Sequence, residues 1–227
     1  MNEVSLASGS AKVDAAFDEL LPLCLGASFL TGLAVTIQRA LPGSEVTPLA
    51  LSHRFPRARS LGPGWPCISS ATAFGMRLEN FVRAFPTAGA IQKVTVIVHH
   101  WLDALACWSL EDLYLSATTE LQVIAATEET IQAKGGLWFF DAVEGAAKRV
   151  GISPLQADFK NMRNDLIHDG RLSASRFPKK TAADCATVAA EVLNWIDQYI
   201  HAVLGLGPVE HVRFSPANLQ TLNAYSF

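Results

Sequence analysis

The sequence predicts a mainly α protein, a C-terminal helical bundle preceded by a small α/β segment that contains a β-hairpin. Three observations carry this prediction. From about Ala71 onward, apolar residues recur at three- and four-residue spacing, the period of an amphipathic helix. Upstream, "GLAVTIQRA" and "SEVTPLALS" flank "LPG", two strand-favouring runs around turn residues. Between the two parts, residues 53–68, "HRFPRARSLGPGWPCI", mix prolines and glycines with arginines and read as a loop and a boundary. The expected organisation is a segment at 1–70 with a helix and the hairpin, a bundle at 71–205 and a tail at 206–227.

Taken in order, "MNEVSLASGS" is small and polar and is expected to fray. A short helix follows, to about Phe29. Leu20 to Gln38, "LLPLCLGASFLTGLAVTIQ", carries no charge and is nearly long enough to cross a bilayer. Pro22, Gly26 and Gly32 interrupt it, and the upstream "DAAFDEL" is acidic where a secretory signal is basic. A buried helix running into a strand is therefore expected, with no membrane span. Next, "ATAFGMRLENFVRAF" is an amphipathic helix that "PTAG" interrupts. A long helical stretch from about Ile91 to Lys134 has Leu110, Tyr114, Ala117, Leu121 and Ile124 on one face, and Gly135 and Gly136 end it. A third helix, Leu137 to Val150, buries Phe140, Val143, Ala147 and Val150. "GISP" opens the fourth, with Ser153 as N-cap, Pro154 at the first helical position and Gln156 closing a capping box. The fifth, Thr181 to Leu204, has Val188, Val192, Trp195, Tyr199 and Val203 as core positions. Trp101, Trp108, Trp138 and Trp195 fall on helices and are expected in the core.

Half of the 227 residues are apolar and only 17% are charged, which predicts a surface hidden by a partner or by self-association. A formal net charge of -3 offers nothing to nucleic acid at the level of the whole chain, so that case rests on local clusters. Cys24, Cys67, Cys107 and Cys185 form no CxxC pair and have no histidine spaced for zinc, the pattern of reduced thiols in a cytoplasmic protein. No cofactor is expected, and no metal: His99 and His100 are adjacent and cannot chelate from one helix face.

The informative stretch is "NMRNDLIHDG", residues 161–170. On a helix at about 100° per residue, Leu155, Phe159, Met162 and Leu166 form a narrow stripe that must face the core. Asn164 and His168 share the nearly opposite face, and Arg163 flanks it. The trio therefore points to solvent or to a second molecule. His168 lies in the last turn, ahead of the helix-ending Gly170, where the helix dipole favours an imidazolium. Histidine changes charge between pH 5 and 8, as acid/base chemistry needs, and arginine offers a fixed fork of donors to a phosphate. On the motif alone, solvated surface is the commoner reading of such a face.

These residues resemble the HEPN domain family, whose signature is an arginine, a polar residue, a few positions and then a histidine. Here those are Arg163, Asn164 and His168, on the helix second from the end of the bundle. The resemblance covers about residues 91–205, and "WLDALACWSLEDLYLSATTELQVIA" is similar to the family's early helices, with Glu120 where many members carry a glutamate. "MRNDLIHDG" and "LCLGASFLTGLAV" are similar to the ApeA-like branch, whose longer β-rich N-terminal part is short here. The resemblance implies a metal-independent endoribonuclease in a toxin or antiviral-defence setting. It further implies a homodimer whose two motifs share one cleft, with Ile167 suited to that interface. A non-catalytic module that binds a nucleotide, an RNA or a protein partner within a larger complex is the alternative, and a structural subunit is a third.

Other basic segments are secondary. "RLSASRFPKK" carries Arg171, Arg176, Lys179 and Lys180 without an acid, and is either a track for RNA phosphates or a solvated loop. The "HRFPRAR" loop, with Arg54, Phe55, Arg57 and Arg59, reads first as an ordinary basic loop and second as a base-stacking site. Glu120, at the edge of its apolar stripe, either supports Arg163 or pairs with any basic neighbour.

Overall fold

The computed structural model describes residues 3–37, 39–40, 44–45, 66–107, 109–133 and 135–225, with side chains from residue 15 onward outside 38–65. Among the described residues there are eight helices, α1 (Glu3–Thr31), α2 (Ala71–Gln92), α3 (Val94–Ala104), α4 (Leu110–Ile131), α5 (Phe139–Val150), α6 (Asp158–Asp169), α7 (Ala182–Val203) and α8 (Pro216–Leu219), of which α2 to α7 fall in the stretch where the periodicity predicts a bundle. Residues 3–10, expected to fray, are part of α1. The alanines, leucine and glutamate near this end all favour a helix, and no proline breaks the run before Pro22.

The expected hairpin is not supported. Among the described residues the segment forms only a two-residue ladder, β1 (Arg39–Ala40) antiparallel to β2 (Ser44–Glu45), while residues 34–37 make no strand and residues 46–52 lie outside the described residues. The chain leaving α1 turns back on it instead: the Val35 N–H donates to Ser28 Oγ at 2.8 Å, claiming a donor that a strand would use. A two-stranded ribbon has little stability of its own to compete with that.

Helix boundaries differ from the sequence prediction at three places. "PTAG" does not interrupt α2, which continues through Pro86 to Gln92. Phe81, Phe85 and Ala88 are buried on one face across the proline, and that burial offsets the backbone bond that proline cannot make. The stretch expected to be continuous from Ile91 to Lys134 is instead the end of α2 followed by α3 and α4. Lys93 breaks it in the left-handed region (φ 53°), and Ser109 breaks it again by capping α4 with an acceptor for the Asp112 N–H at 3.0 Å. Finally, Ser153 does not cap the fourth expected helix, which starts at Asp158. The Trp195 indole donates to the Ser153 carbonyl at 2.8 Å, taking the acceptor that a first helical turn would need.

α4 is the central element, packed against α2, α3, α5, α6 and α7. Its predicted stripe, Leu110, Tyr114, Ala117, Leu121 and Ile124, is fully buried. α7 begins with a capping box between Thr181 and Asp184 and buries Val188, Val192, Trp195 and Tyr199, with Val203 packed at the margin. One continuous cluster of buried apolar residues runs from Leu25 in α1 to Leu219 in α8. A buried arginine closes it. The Arg213 guanidinium lies 4.7 Å from the Phe29 ring and 4.3 Å from Trp101, donates to the Phe29 carbonyl at 2.5 Å, and pairs with Asp197 of α7 at 2.8 Å. α1 and the segment after α7 are thereby fastened to each other. No helix among the described residues is long and apolar enough to cross a membrane.

Candidate active site

α6 is held by its apolar stripe: Leu155 just ahead of it, then Phe159 and Met162, are buried, and Leu166 packs at the edge. The Tyr114 hydroxyl of α4 donates to the Phe159 carbonyl at 2.5 Å, tying α6 to the central helix. Phe159 also lies between two aromatic rings of α5, with Phe140 stacked at 5.8 Å and Phe139 edge-on at 5.9 Å. The helix ends on Gly170, whose φ of +68° is a conformation that side chains with a Cβ avoid.

On the outer side of α6, Arg163 and Asn164 are half-buried, and His168 and Ile167 are exposed. The Arg163 guanidinium lies 5.0 Å from the Phe139 ring centroid, and its Nη1 donates to Asn164 Oδ1 at 3.4 Å. Its Nε is buried and has no hydrogen-bond partner. Burial lowers the Arg163 pKa, opposed by nearby Tyr114, yet a guanidinium keeps its charge in any protein environment. Within one chain, no hydrogen bond joins His168 to Arg163 or Asn164. The five intervening steps along the helix separate the two by about 7.5 Å of axial rise. The Arg163–Asn164 pair is thus pre-oriented on an aromatic ring, and the histidine stands apart at the helix terminus.

The loop after α6 divides the four basic residues that the sequence groups together. Arg176 is spent internally: its Nη1 lies 3.2 Å from Asp169 and 3.5 Å from Asp165. Half-buried Lys180 places its Nζ 4.8 Å over the Phe177 ring. Arg171 and Lys179 are exposed and make no ion pair among the described residues. Arg54, Phe55, Arg57 and Arg59 lie outside the described residues.

Glu120 is not at the site's edge. It is fully buried, and neither carboxylate oxygen has a hydrogen-bond partner, Arg163 included. Burial first, and the neighbouring Asp197 second, raise its pKa well above the ordinary carboxylate range. It is therefore a carboxyl of the core that makes no hydrogen bond to the motif.

One residue missed in the sequence shapes this face, and a second, at the start of α5, is placed differently from the sequence reading. Asp165 is fully buried and accepts from the backbone N–H groups of Ala174 (2.8 Å), Arg176 (3.0 Å) and Phe177 (2.7 Å). Burial alone would raise its pKa, but these amides and the Arg176 guanidinium outweigh burial and hold it below the usual range. A signal was present, since Asp165 lies three residues after Met162 and so borders the core stripe. The second is Trp138, expected in the core but 80% exposed. It is the N-cap of α5, where the chain turns outward before the helix begins. Among the described residues, no three His, Cys, Asp or Glu side chains converge as a metal site.

The chain matches no family model, no curated protein and no solved structure. What this face can do is argued from its own residues.

Proposed function

We propose that the chain is a HEPN-type endoribonuclease that cleaves RNA without a metal ion, acting as a homodimer in a cytoplasmic toxin or antiviral-defence setting. The observation that carries this reading is the placement of the Arg163–Asn164–His168 trio on the outer face of α6, with the guanidinium set on an aromatic ring and the imidazole open to solvent. Two such faces meeting would put a histidine from each copy beside an arginine pair, and exposed Ile167 would be covered in the process. In that cleft His168 moves the proton between the ribose 2′-oxygen, or the leaving 5′-oxygen, and solvent. Arg163 stabilises the charge that builds on the phosphorane-like transition state, and Asn164 orients it through its hydrogen bond. The 2′-hydroxyl is the nucleophile, so the products are a 2′,3′-cyclic phosphate and a 5′-hydroxyl. Exposed Arg171 and Lys179 flank the cleft and draw in the phosphate backbone.

The test is cleavage of a single-stranded RNA in EDTA by wild type, Arg163→Ala and His168→Ala. Losing either group should slow cleavage by about 100-fold or more, and wild-type ends should carry the cyclic phosphate. Undiminished cleavage by both variants refutes the assignment. A second reading, a non-catalytic module that binds RNA or a protein partner, is favoured by the half-buried packing of Arg163 on Phe139. It gains if wild type binds RNA or a partner without cleaving.

A further inference from the structure

We propose that the exposed indole of Trp138 is a stacking platform for an unpaired nucleobase of the RNA held at the Arg163–Asn164–His168 face. This rests on the ribonuclease reading and adds to it a residue that neither the motif nor its spacing points to. Trp138 immediately precedes Phe139, whose ring carries the Arg163 guanidinium at 5.0 Å. The next ring along, Phe140, has the Lys160 ammonium 5.9 Å from its centroid. Three consecutive aromatic residues of the α5 N-terminus thus run beside two cations one helical turn apart on α6. Each of the two cations is matched to a ring, and among the described residues the third ring, Trp138, has no aromatic or cation partner.

Two aspects of Trp138 work against stability and so call for another reason for its being there. Trp101 and Trp195 are 0% and 4% exposed, whereas Trp138 is 80% exposed and leaves one of the largest apolar surfaces in the chain in water. It also occupies the N-cap of α5, a position where serine, threonine or aspartate would accept a backbone N–H, and no side-chain cap forms there. An exposed indole one residue before the ring that carries the Arg163 guanidinium matches the chemistry of a nucleotide, with the base on the indole and the phosphate on the guanidinium. Every base has a π-face, so this contact favours unpaired RNA over duplex without selecting a sequence.

The test uses a fluorescein-labelled 2′-O-methyl single-stranded RNA, which lacks the nucleophilic hydroxyl and cannot be cleaved, and an abasic strand of the same length. Binding is read by anisotropy for wild type, Trp138→Ala, Trp138→Phe and Arg163→Ala. Trp138→Ala should weaken binding of the base-bearing strand by about 5- to 150-fold, the range of a single base–aromatic stack, and leave the abasic strand unchanged. Trp138→Phe should restore most of the loss, and Arg163→Ala should weaken both strands. Equal binding of the base-bearing strand by wild type and Trp138→Ala overturns the platform while leaving the ribonuclease reading intact. Loss of self-association by Trp138→Ala, with RNA affinity retained, makes the indole a protein contact and also overturns the platform. Wild type binding neither strand overturns both readings together.

Discussion

Replacing Asp165 with asparagine should release the basic loop from α6 without touching the motif. Oδ2 accepts from Ala174 and Phe177, and Oδ1 accepts from Arg176. An asparagine has one acceptor oxygen, so one or two of these backbone donors are left facing an NH2 group in a site closed to water. Each buried donor without a partner costs about 1–3 kcal/mol, which puts Asp165→Asn at about 1–6 kcal/mol. For a chain of this size that is a fall in Tm of roughly 2–24 °C. The pH dependence has a definite sign. The folded-state pKa of Asp165 is depressed, so its contribution is present above the ordinary carboxylate value and is lost as pH falls through the lower folded value. The gap between wild type and variant should therefore be constant from about pH 5 to 8 and shrink below about pH 4. Thermal unfolding across that range measures it, and amide hydrogen exchange at Ala174, Arg176 and Phe177 reports the loop directly. An unchanged Tm with these amides still protected would refute the reasoning. In RNA binding, a freed loop should lower affinity and reduce the salt dependence contributed by Arg171 and Lys179.

Other outcomes follow from the core. Glu120→Gln should stabilise the protein above neutral pH and lose that advantage toward pH 4. A carboxyl whose folded pKa is raised contributes fully only below its unfolded value, and wild type falls behind by up to about 1.4 kcal/mol per pH unit above it; a urea-unfolding difference that does not vary with pH would show that Glu120 is ionised and paired. Tyr114→Phe should cost about 1–2 kcal/mol through the lost bond to the Phe159 carbonyl, and equal Cm values would count against that bond. Gly26→Ala should destabilise by about 1–3 kcal/mol, because the added Cβ would meet Phe81 at 2.8 Å and Leu78 at 2.9 Å, and Phe81 is itself buried and stacked on Phe85; a Tm at or above wild type would show that the rings can yield.

The sequence discloses what repeats. The α4 stripe, the α6 stripe and the α7 core positions follow a 3.6-residue period, and burial enforces that period, so all three are read correctly. Breaks in helices are harder to read, because distant contacts decide them. Pro86 fails to stop α2 because apolar residues on both sides of it are buried, and Ser153 fails to start α6 because an indole forty-two residues away takes its carbonyl. The same limit applies at the site. The outward face of Arg163, Asn164 and His168 follows from helical geometry alone. Which cations remain available does not: Arg176 and Arg171 look alike in "RLSASRFPKK", and only the buried Asp165 and the neighbouring Asp169 separate them. Glu120 and Trp138 show where the helical pattern misplaces a side chain, a carboxyl read at the edge of a stripe that is fully enclosed and an indole read as core that stands in water.

The bond from Arg213 to the Phe29 carbonyl spans 184 positions of chain. Closing so long a loop carries an entropic cost that short-range helix pairing does not meet, so this contact belongs to a late step of folding. During synthesis, α2 to α6 can assemble while Phe29 and Trp101 still lack the cation that packs against them. The outer face of α6 can then form on a bundle in which α1 already packs on α2 and α3, with the Phe29–Trp101 pair still open on the side that Arg213 covers.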